Sequence, residues 1–253
     1  STTFSPWRCE RTRPDCGQIS TMQPAHSFPD SLAAERFDLR RYQPSDASAV
    51  LRLVDRNRER LLRNFPELAQ RMKTVEEACA YVGGTDQQWR DGAGFVYGIW
   101  APSEATPIGQ VRVKNIVWKV PSAELSYFVD KDWVRRGVAT EAVRAVLRAA
   151  FETHGFKRVY VRVMAANEES LALARRLELR HEGVQRNAFR CGLGELHDLH
   201  LFAMTDVDFS IVLATAASPL AAGLVDSGVQ NTFSLSVADA AAAASGQPSW
   251  RMV

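Results

Sequence analysis

"VRRGVATEAV", residues 134–143, decides the fold. Two arginines and a glycine stand directly before small residues that open a run with helical spacing. A helix start leaves its first backbone N–H groups without intrahelical partners and carries about half a unit of positive charge, so it attracts anions. Gly137 keeps the backbone open, Ala139 and Thr140 keep the rim narrow, and Arg135 with Arg136 adds charge. The stretch therefore reads either as an ordinary helix start with a solvated basic end or as a socket for phosphate. The preceding strand pattern "AELSYFVD", residues 123–130, aims the turn at a strand end, where ligands dock on mixed sheets. The pattern is neither GxxxxGK[ST] nor GxGxxG, which removes the Walker and dinucleotide loops.

Working outward, "RFDLRRY" (36–42) alternates as a strand and leads into a helix that Ser45 or Asp46 caps, with Val50, Leu53, Val54, Leu61 and Leu62 near one face. A second helical stretch begins at "TVEEACAYV", with a break expected at Gly83 and Gly84. Three strands follow as a meander: "GFVYGIWA", "PIGQVRVKNIVW" and "AELSYFVD". Then come a helix over 137–154, the strand "RVYVRVM", a helix over 167–177, and the closing strands "HEGVQRNAFRC" and "LHDLHLFAMT". That order predicts an α+β (mixed α/β) domain over 35–209 with a central mixed sheet.

Residues 1–34 lack periodicity and read as an N-terminal arm, expected to be disordered. Residues 210–253 form a low-complexity Ala/Ser-rich tail with the same expectation. A net charge of +2 over 253 residues is too balanced for a chain built to neutralise nucleic acid, so any anion site is local. The longest apolar tail run, "IVLATAASPLAAGLV", is shorter than a membrane span and is broken by Pro219, so no membrane segment is expected. Cys9, Cys16, Cys79 and Cys191 show neither CxxC spacing nor nearby paired histidines, so no metal site and no disulfide framework is expected, and a cytoplasmic location is.

Taken together, "AELSYFVD", "GVATEA", "ANEESLALARRLELRHEG" and "LHDLHLFAMT" resemble, in order and at the right spacing, the GNAT acyl-CoA N-acyltransferases, and within them the RimJ/RimL-type ribosomal-protein N-terminal acetyltransferases. The likeness runs over about residues 36–209. It departs at Val134, where the family loop carries Gln or Arg, at Ser126, and at Glu178 and Leu179, where Gly and Phe are usual. The resemblance implies a mostly antiparallel mixed sheet with flanking helices and a splayed strand pair for the cofactor, acetyl-CoA. It places the diphosphate on Arg135, Arg136, Gly137, Val138, Ala139 and Thr140. The pantetheine would lie along the backbone of Tyr127, Phe128 and Val129, which also supplies an oxyanion N–H, and against Asn167. A fully paired strand has no spare donors, so this needs a local splay.

Acetyl transfer to an amine needs a base for the ammonium, an oxyanion donor and a proton for the departing thiolate. Glu124 is the candidate base, since burial on its strand would strengthen it; a half-exposed surface glutamate is the plain alternative. Ser170 stands three residues after Asn167 on the same side of a helix start. Asn167 reads as a helix cap and Ser170 as a small filler, whereas the resemblance makes Ser170 the proton donor, because Ala174 occupies the position where many relatives carry tyrosine. His154 reads as a helix-dipole partner, His197 and His200 as facing opposite sides of a strand, and Asp198 as a structural tie. Arg52, Arg56, Arg60 and Arg63 form a basic stripe, solvated or facing an acidic protein.

Three functions stay open at this level. One is acetyl transfer to a primary amine, such as the N-terminus of a ribosomal protein; another is acetyl transfer to a small amine (aminoglycoside, polyamine or amino acid derivative). The third is a noncatalytic acyl-CoA-binding module. No nucleic-acid partner is expected, and the oligomeric state stays open, a homodimer included.

Overall fold

In "DLRR", "FVYGIW", "GQVRVKNIV" and "SAELSYFV", β-branched and aromatic residues favour extended backbone, and their pairing builds one sheet. The computed structural model describes residues 28–216. Its strands are β1 (Ser31–Ala33), β2 (Asp38–Arg41), β3 (Phe95–Trp100), β4 (Gly109–Val117), β5 (Ser122–Val129), β6 (Arg158–Met164), β7 (Arg180–Arg190) and β8 (Leu196–Thr205). They lie in the order β1-β2-β3-β4-β5-β6-β8-β7. Every pair is antiparallel except β5–β6. That parallel pair is bridged by helix α4 (Val138–Arg148), as a parallel crossover requires.

Helices α1 (Ala47–Asn64), α2 (Pro66–Arg71) and α3 (Val75–Arg90) connect β2 to β3. They share an apolar cluster in which Val50, Leu53, Val54 and Leu61 of α1 and Ala78 and Val82 of α3 meet Val96 and Phe128 of the sheet. The break expected at Gly83 and Gly84 does not occur, and α3 runs through both. A reciprocal cap between Thr74 and Glu77 starts the helix, and buried Ala78, Val82, Thr85 and Trp89 anchor one face. Burial of that face offsets about 1 kcal/mol per glycine. α2 begins at Pro66, a residue suited to a first helical position. Past α4, Ala149–Thr153 adds a π-helical turn.

Helix α5 (Glu168–Arg176) ends in a Schellman arrangement, with Glu178 N bonded to Arg175 O at 2.9 Å and Leu179 N to Ala174 O at 3.0 Å. Glu178 takes φ +59°, the left-handed conformation that the sequence departure anticipates.

The expected arm and tail, 1–34 and 210–253, lie mostly outside the described residues. Of the arm, residues 28–34 include β1 and a fully buried Phe28, which stacks on His154 at 4.1 Å. Of the tail, residues 210–216 belong to helix α6 (Asp206–Ala216), which a reciprocal Thr205–Asp208 cap initiates. No described helix is long and apolar enough to cross a membrane.

Candidate active site

The two strands that form the parallel pair stay together only from Ser122↔Arg158 to Leu125↔Val161. Beyond that point β5 keeps β4, through Gly109↔Val129, and β6 keeps β8, through Met164↔Leu199, but the two no longer pair with each other. The backbone of Ser126 to Val129 therefore faces a gap on its β6 side, which is the splay that a bound pantetheine needs. A cleft of about 700 Å³ occupies this gap, walled by Tyr127, Phe128 and Val129 on one side and Asn167 and Ser170 on the other.

At one end of the cleft stands the start of α4. Gly137 is its N-cap at φ +78°, with no side-chain cap, and Arg135 before it is left-handed too at φ +61°. Glu141 N makes the first intrahelical bond, to Gly137 O at 3.0 Å, so the amides of Val138, Ala139 and Thr140 precede the helical ladder. A Cβ on Gly137 would come within 2.9 Å of Arg36 Nη2. Arg135, Gly137, Val138, Ala139 and Thr140 all line the cleft, joined by Arg60, Arg63 and Arg176. An uncapped helix N-terminus ringed by guanidinium groups has the donor set a diphosphate requires. Arg136 is placed otherwise: its guanidinium lies over the Trp133 ring at 4.9 Å, and its carbonyl accepts from Arg36 Nη2 at 3.0 Å.

Arg36, unnoticed in the sequence, shapes this turn. Its own amide donates to Glu141 Oε1 at 2.6 Å and its Nε to Glu141 Oε2 at 2.9 Å, so the glutamate of "GVATEA" ties the entry to β2 onto α4. The basic stripe is likewise partly spent. Arg56 pairs with fully buried Asp130 at 2.6 Å, and Arg60 reaches Glu169 at 3.6 Å.

A second, smaller cavity of about 320 Å³ has Glu124, Tyr127 and Ser170 among its walls. Glu124 is 3% exposed, far from the half-exposed surface alternative. Lys114 is its cross-strand partner on β4 and Tyr160 its partner on β6, which puts Arg162, two residues on, within reach. Arg162 donates to both oxygens, Nε to Oε1 at 3.1 Å and Nη2 to Oε2 at 3.0 Å. Asn115, left-handed at φ +50° in the β4 bulge, donates Nδ2 to Oε2 at 2.7 Å. Lys114 Nζ faces Oε1 at 3.4 Å as an ion pair without a hydrogen bond. A carboxylate offers about four acceptor positions, so one on Oε1 stays available beside a lysine cation.

Asn167 caps α5, accepting from Ser170 N at 3.1 Å, and its Nδ2 donates to Asn64 Oδ1 at 3.1 Å. Both of its polar ends have protein partners, as the capping alternative anticipates, while the side chain still borders the cleft. Ser170 lies next to the Tyr127 side chain. Burial pushes the Tyr127 phenol up to about 12, opposed by the Ser170 hydroxyl. The Tyr127 oxygen is buried, and among the described residues no partner meets it at hydrogen-bonding geometry.

The remaining candidates are structural. The His154 ring packs on Phe28, and burial lowers its pKa, which disfavours the charged form a dipole partner would carry. His200 Nδ1 meets His181 Nε2 at 3.1 Å, whereas His197 Nε2 meets Glu195 at 3.3 Å, so the two histidines do serve different neighbours. Asp198 Oδ1 accepts from Asn187 N at 2.8 Å and ties β8 to the β7 irregularity.

The acetyltransferase (GNAT) domain family matches residues 36–180, spanning the bulged β4, the splayed β5 and the α4 loop. The chain belongs to the GNAT acetyltransferase family. It is an acetyl-CoA-dependent N-acetyltransferase. The [ribosomal protein uS5]-alanine N-acetyltransferase of Escherichia coli (strain K12) is 27% identical over 132 residues, covering 52% of this chain and 68% of that one. Among solved structures, Mycobacterium smegmatis RimJ in complex with CoA-disulfide superposes with a TM-score of 0.65 at 22% identity, over 74% of this chain and 95% of the other. RimL, a ribosomal L7/L12 alpha-N-protein acetyltransferase in complex with coenzyme A, gives a TM-score of 0.63 at 21% identity, over 69% and 97%. These likenesses establish the shared fold.

Proposed function

We propose that this GNAT enzyme acetylates the N-terminal amine of a protein, with Glu124 as base and Ser170 as proton donor. One observation supports a polypeptide over a polycationic small molecule. The charged side chains lining the Glu124 cavity are Glu124 itself with Lys114 and Arg162, so that cavity holds more positive than negative charge. A polyamine or aminoglycoside would bring further cations to a carboxylate already neutralised, whereas a single α-amine with a low intrinsic pKa suffers least. Relatives that act on ribosomal-protein N-termini point the same way, and a ribosomal substrate would place the enzyme in the cytoplasm.

Bound acetyl-CoA supplies the acyl thioester. The amides of Val138, Ala139 and Thr140 with Arg135 would hold its diphosphate, and the unpaired edge at Tyr127, Phe128 and Val129 would orient its arm and present a backbone N–H to the acyl oxygen. The free acceptor position on Glu124 Oε1 takes a proton from the incoming ammonium, directly or through water. The Lys114 cation beside it disfavours the charged form of that amine, so the two residues act in one direction. Ser170 would direct its hydroxyl at the thioester sulfur and relay a proton to it, regaining its own from water in the cavity.

The test is CoA release with a panel of acceptors: peptides with free N-termini, the same peptides N-terminally blocked but carrying lysine, spermidine and an aminoglycoside. Turnover confined to free N-termini, with the modification mapped there by mass spectrometry, is expected. Turnover on the small amines alone would sink the polypeptide assignment, and cofactor binding without turnover on any acceptor would indicate a binding module.

A further inference from the structure

The β7–β8 hairpin brings together three side chains that the reaction does not use. Cys191 directly follows β7, and Glu195 and His197 flank the start of β8. His197 Nε2 lies 3.3 Å from Glu195 Oε2, Cys191 Sγ lies 4.0 Å from the same oxygen, and all three donor atoms fall within 4.8 Å of one another. The turn is tightly made: Cys191 N bonds Glu195 O at 2.9 Å, Gly194 N bonds Cys191 O at 3.0 Å, and Gly194 is left-handed at φ +88°. Gly192 N also bonds Leu62 O at 2.7 Å, and a Cβ there would meet that carbonyl at 2.6 Å. The backbone carrying the trio is thus anchored to α1, close to the acceptor cavity.

We propose that Cys191, Glu195 and His197 form a zinc(II) site that clamps this hairpin beside the cleft. Zinc bonds to thiolate, imidazole and carboxylate in tetrahedral geometry separate nitrogen and oxygen ligands by about 3.4 Å, and sulfur and oxygen by about 3.6 Å. The first separation is already met, and the second needs a few tenths of an ångström of movement by Glu195, whose side chain is 58% exposed and free to adjust. A mixed sulfur, nitrogen and oxygen set selects zinc over calcium or magnesium. The charges close: thiolate and carboxylate balance the dication, imidazole binds neutral, and the Cys191 proton leaves to solvent on binding. Three protein ligands leave a fourth position for water. His197 also borders the cofactor cleft, so the metal fixes a ring that lines it. The spacing C-x3-E-x-H has no CxxC in it, and only the hairpin turn reveals it.

The full chain, stripped of metal, is titrated with cobalt(II) and, separately, with zinc(II) against a chromophoric chelator. One equivalent of metal, with a thiolate-to-cobalt charge-transfer band and tetrahedral visible bands, is expected. Cys191→Ala should abolish the charge-transfer band, while Cys79→Ala, remote and exposed, should leave it. His197→Gln and Glu195→Gln, half-buried and exposed, should each weaken zinc by at least about tenfold without unfolding the chain. Absence of the band, its survival in Cys191→Ala, or zinc affinity unchanged in both His197→Gln and Glu195→Gln would each overturn the site.

Discussion

Arg162 forks onto Glu124, with Nε on one carboxylate oxygen at 3.1 Å and Nη2 on the other at 3.0 Å. A guanidinium in this geometry fixes the plane of the carboxylate as well as its charge. Glu124→Gln keeps the shape and removes the base, so kcat/KM should fall about 10²- to 10⁴-fold. The dissociation constant for coenzyme A should hold, because Glu124 does not line the cleft that would take the diphosphate. Arg162→Met leaves the base but frees its orientation, and should lower kcat more than it raises KM. Calorimetry of coenzyme A binding beside steady-state kinetics separates the two effects.

Lys114 approaches the same carboxylate at 3.4 Å without hydrogen-bonding it. If its cation helps discharge the acceptor amine, Lys114→Met lets the bound amine hold its proton to higher pH. The acidic limb of the kcat profile then moves to higher pH, while the rate at the alkaline plateau changes little. An unmoved limb with a uniformly lower rate would assign Lys114 to placing Glu124 only.

The strands, the long helices and the loop at Gly137 were legible because each rests on local chemistry: alternation, capping residues, a glycine before a helix. Glu124 and Ser170 were singled out by motif, and the structure places both on one cavity. The partners of Glu124 were not, since Lys114, Asn115 and Arg162 come from two other strands and meet it only through register and a bulge. A hint existed in "RVYVRVM", where Arg162 interrupts valines on a strand flanked by others on both sides. The run through Gly83 and Gly84 misled for the opposite reason: local breakers yielded to a buried helix face. The placement of Arg136 was not legible, because adjacency in sequence does not make two side chains share a direction, and its guanidinium lies over Trp133.

Glu178 holds a left-handed conformation at φ +59° at the end of α5. A side chain there costs about 1–2 kcal/mol, and glycine returns part of that gain through a more flexible unfolded chain. Glu178→Gly should stabilise the domain by about 0.5–1 kcal/mol, a rise of a few degrees in the midpoint of thermal unfolding. A lower midpoint would mean that Glu178 makes contacts worth more than its strain.

Arg158 pairs with Glu182 between β6 and β7, and holds that carboxylate below the usual range. A carboxylate with a depressed folded pKa contributes stability above its unfolded value, near 4.5, and loses it as pH falls through the folded value. Arg158→Gln should therefore be less stable than the parent at pH 7, by under about 1 kcal/mol for a pair about one-third exposed. The two should converge as Glu182 protonates in the parent below pH 4.5. A gap in denaturant midpoint that persists in acid would assign the loss to the Arg158 guanidinium over Tyr160, whose ring centroid lies 5.6 Å from Cζ.

Tyr127 presents the opposite case, a polar atom buried at the site that no partner among the described residues meets at hydrogen-bonding geometry. Its phenol keeps its proton up to about 12, so at working pH it can donate but not accept as a base. A buried hydroxyl left without a partner costs about 1–3 kcal/mol, a cost natural cores seldom carry outside functional sites. Tyr127→Phe should raise the stability of the ligand-free protein by about 1 kcal/mol. Ser170→Ala, removing the hydroxyl beside it, should lower kcat while leaving coenzyme A affinity within about twofold, since the pantetheine edge is backbone. Thermal unfolding of Tyr127→Phe with and without coenzyme A decides the first point: a variant less stable than the parent in the ligand-free state would show that the phenol already has a partner.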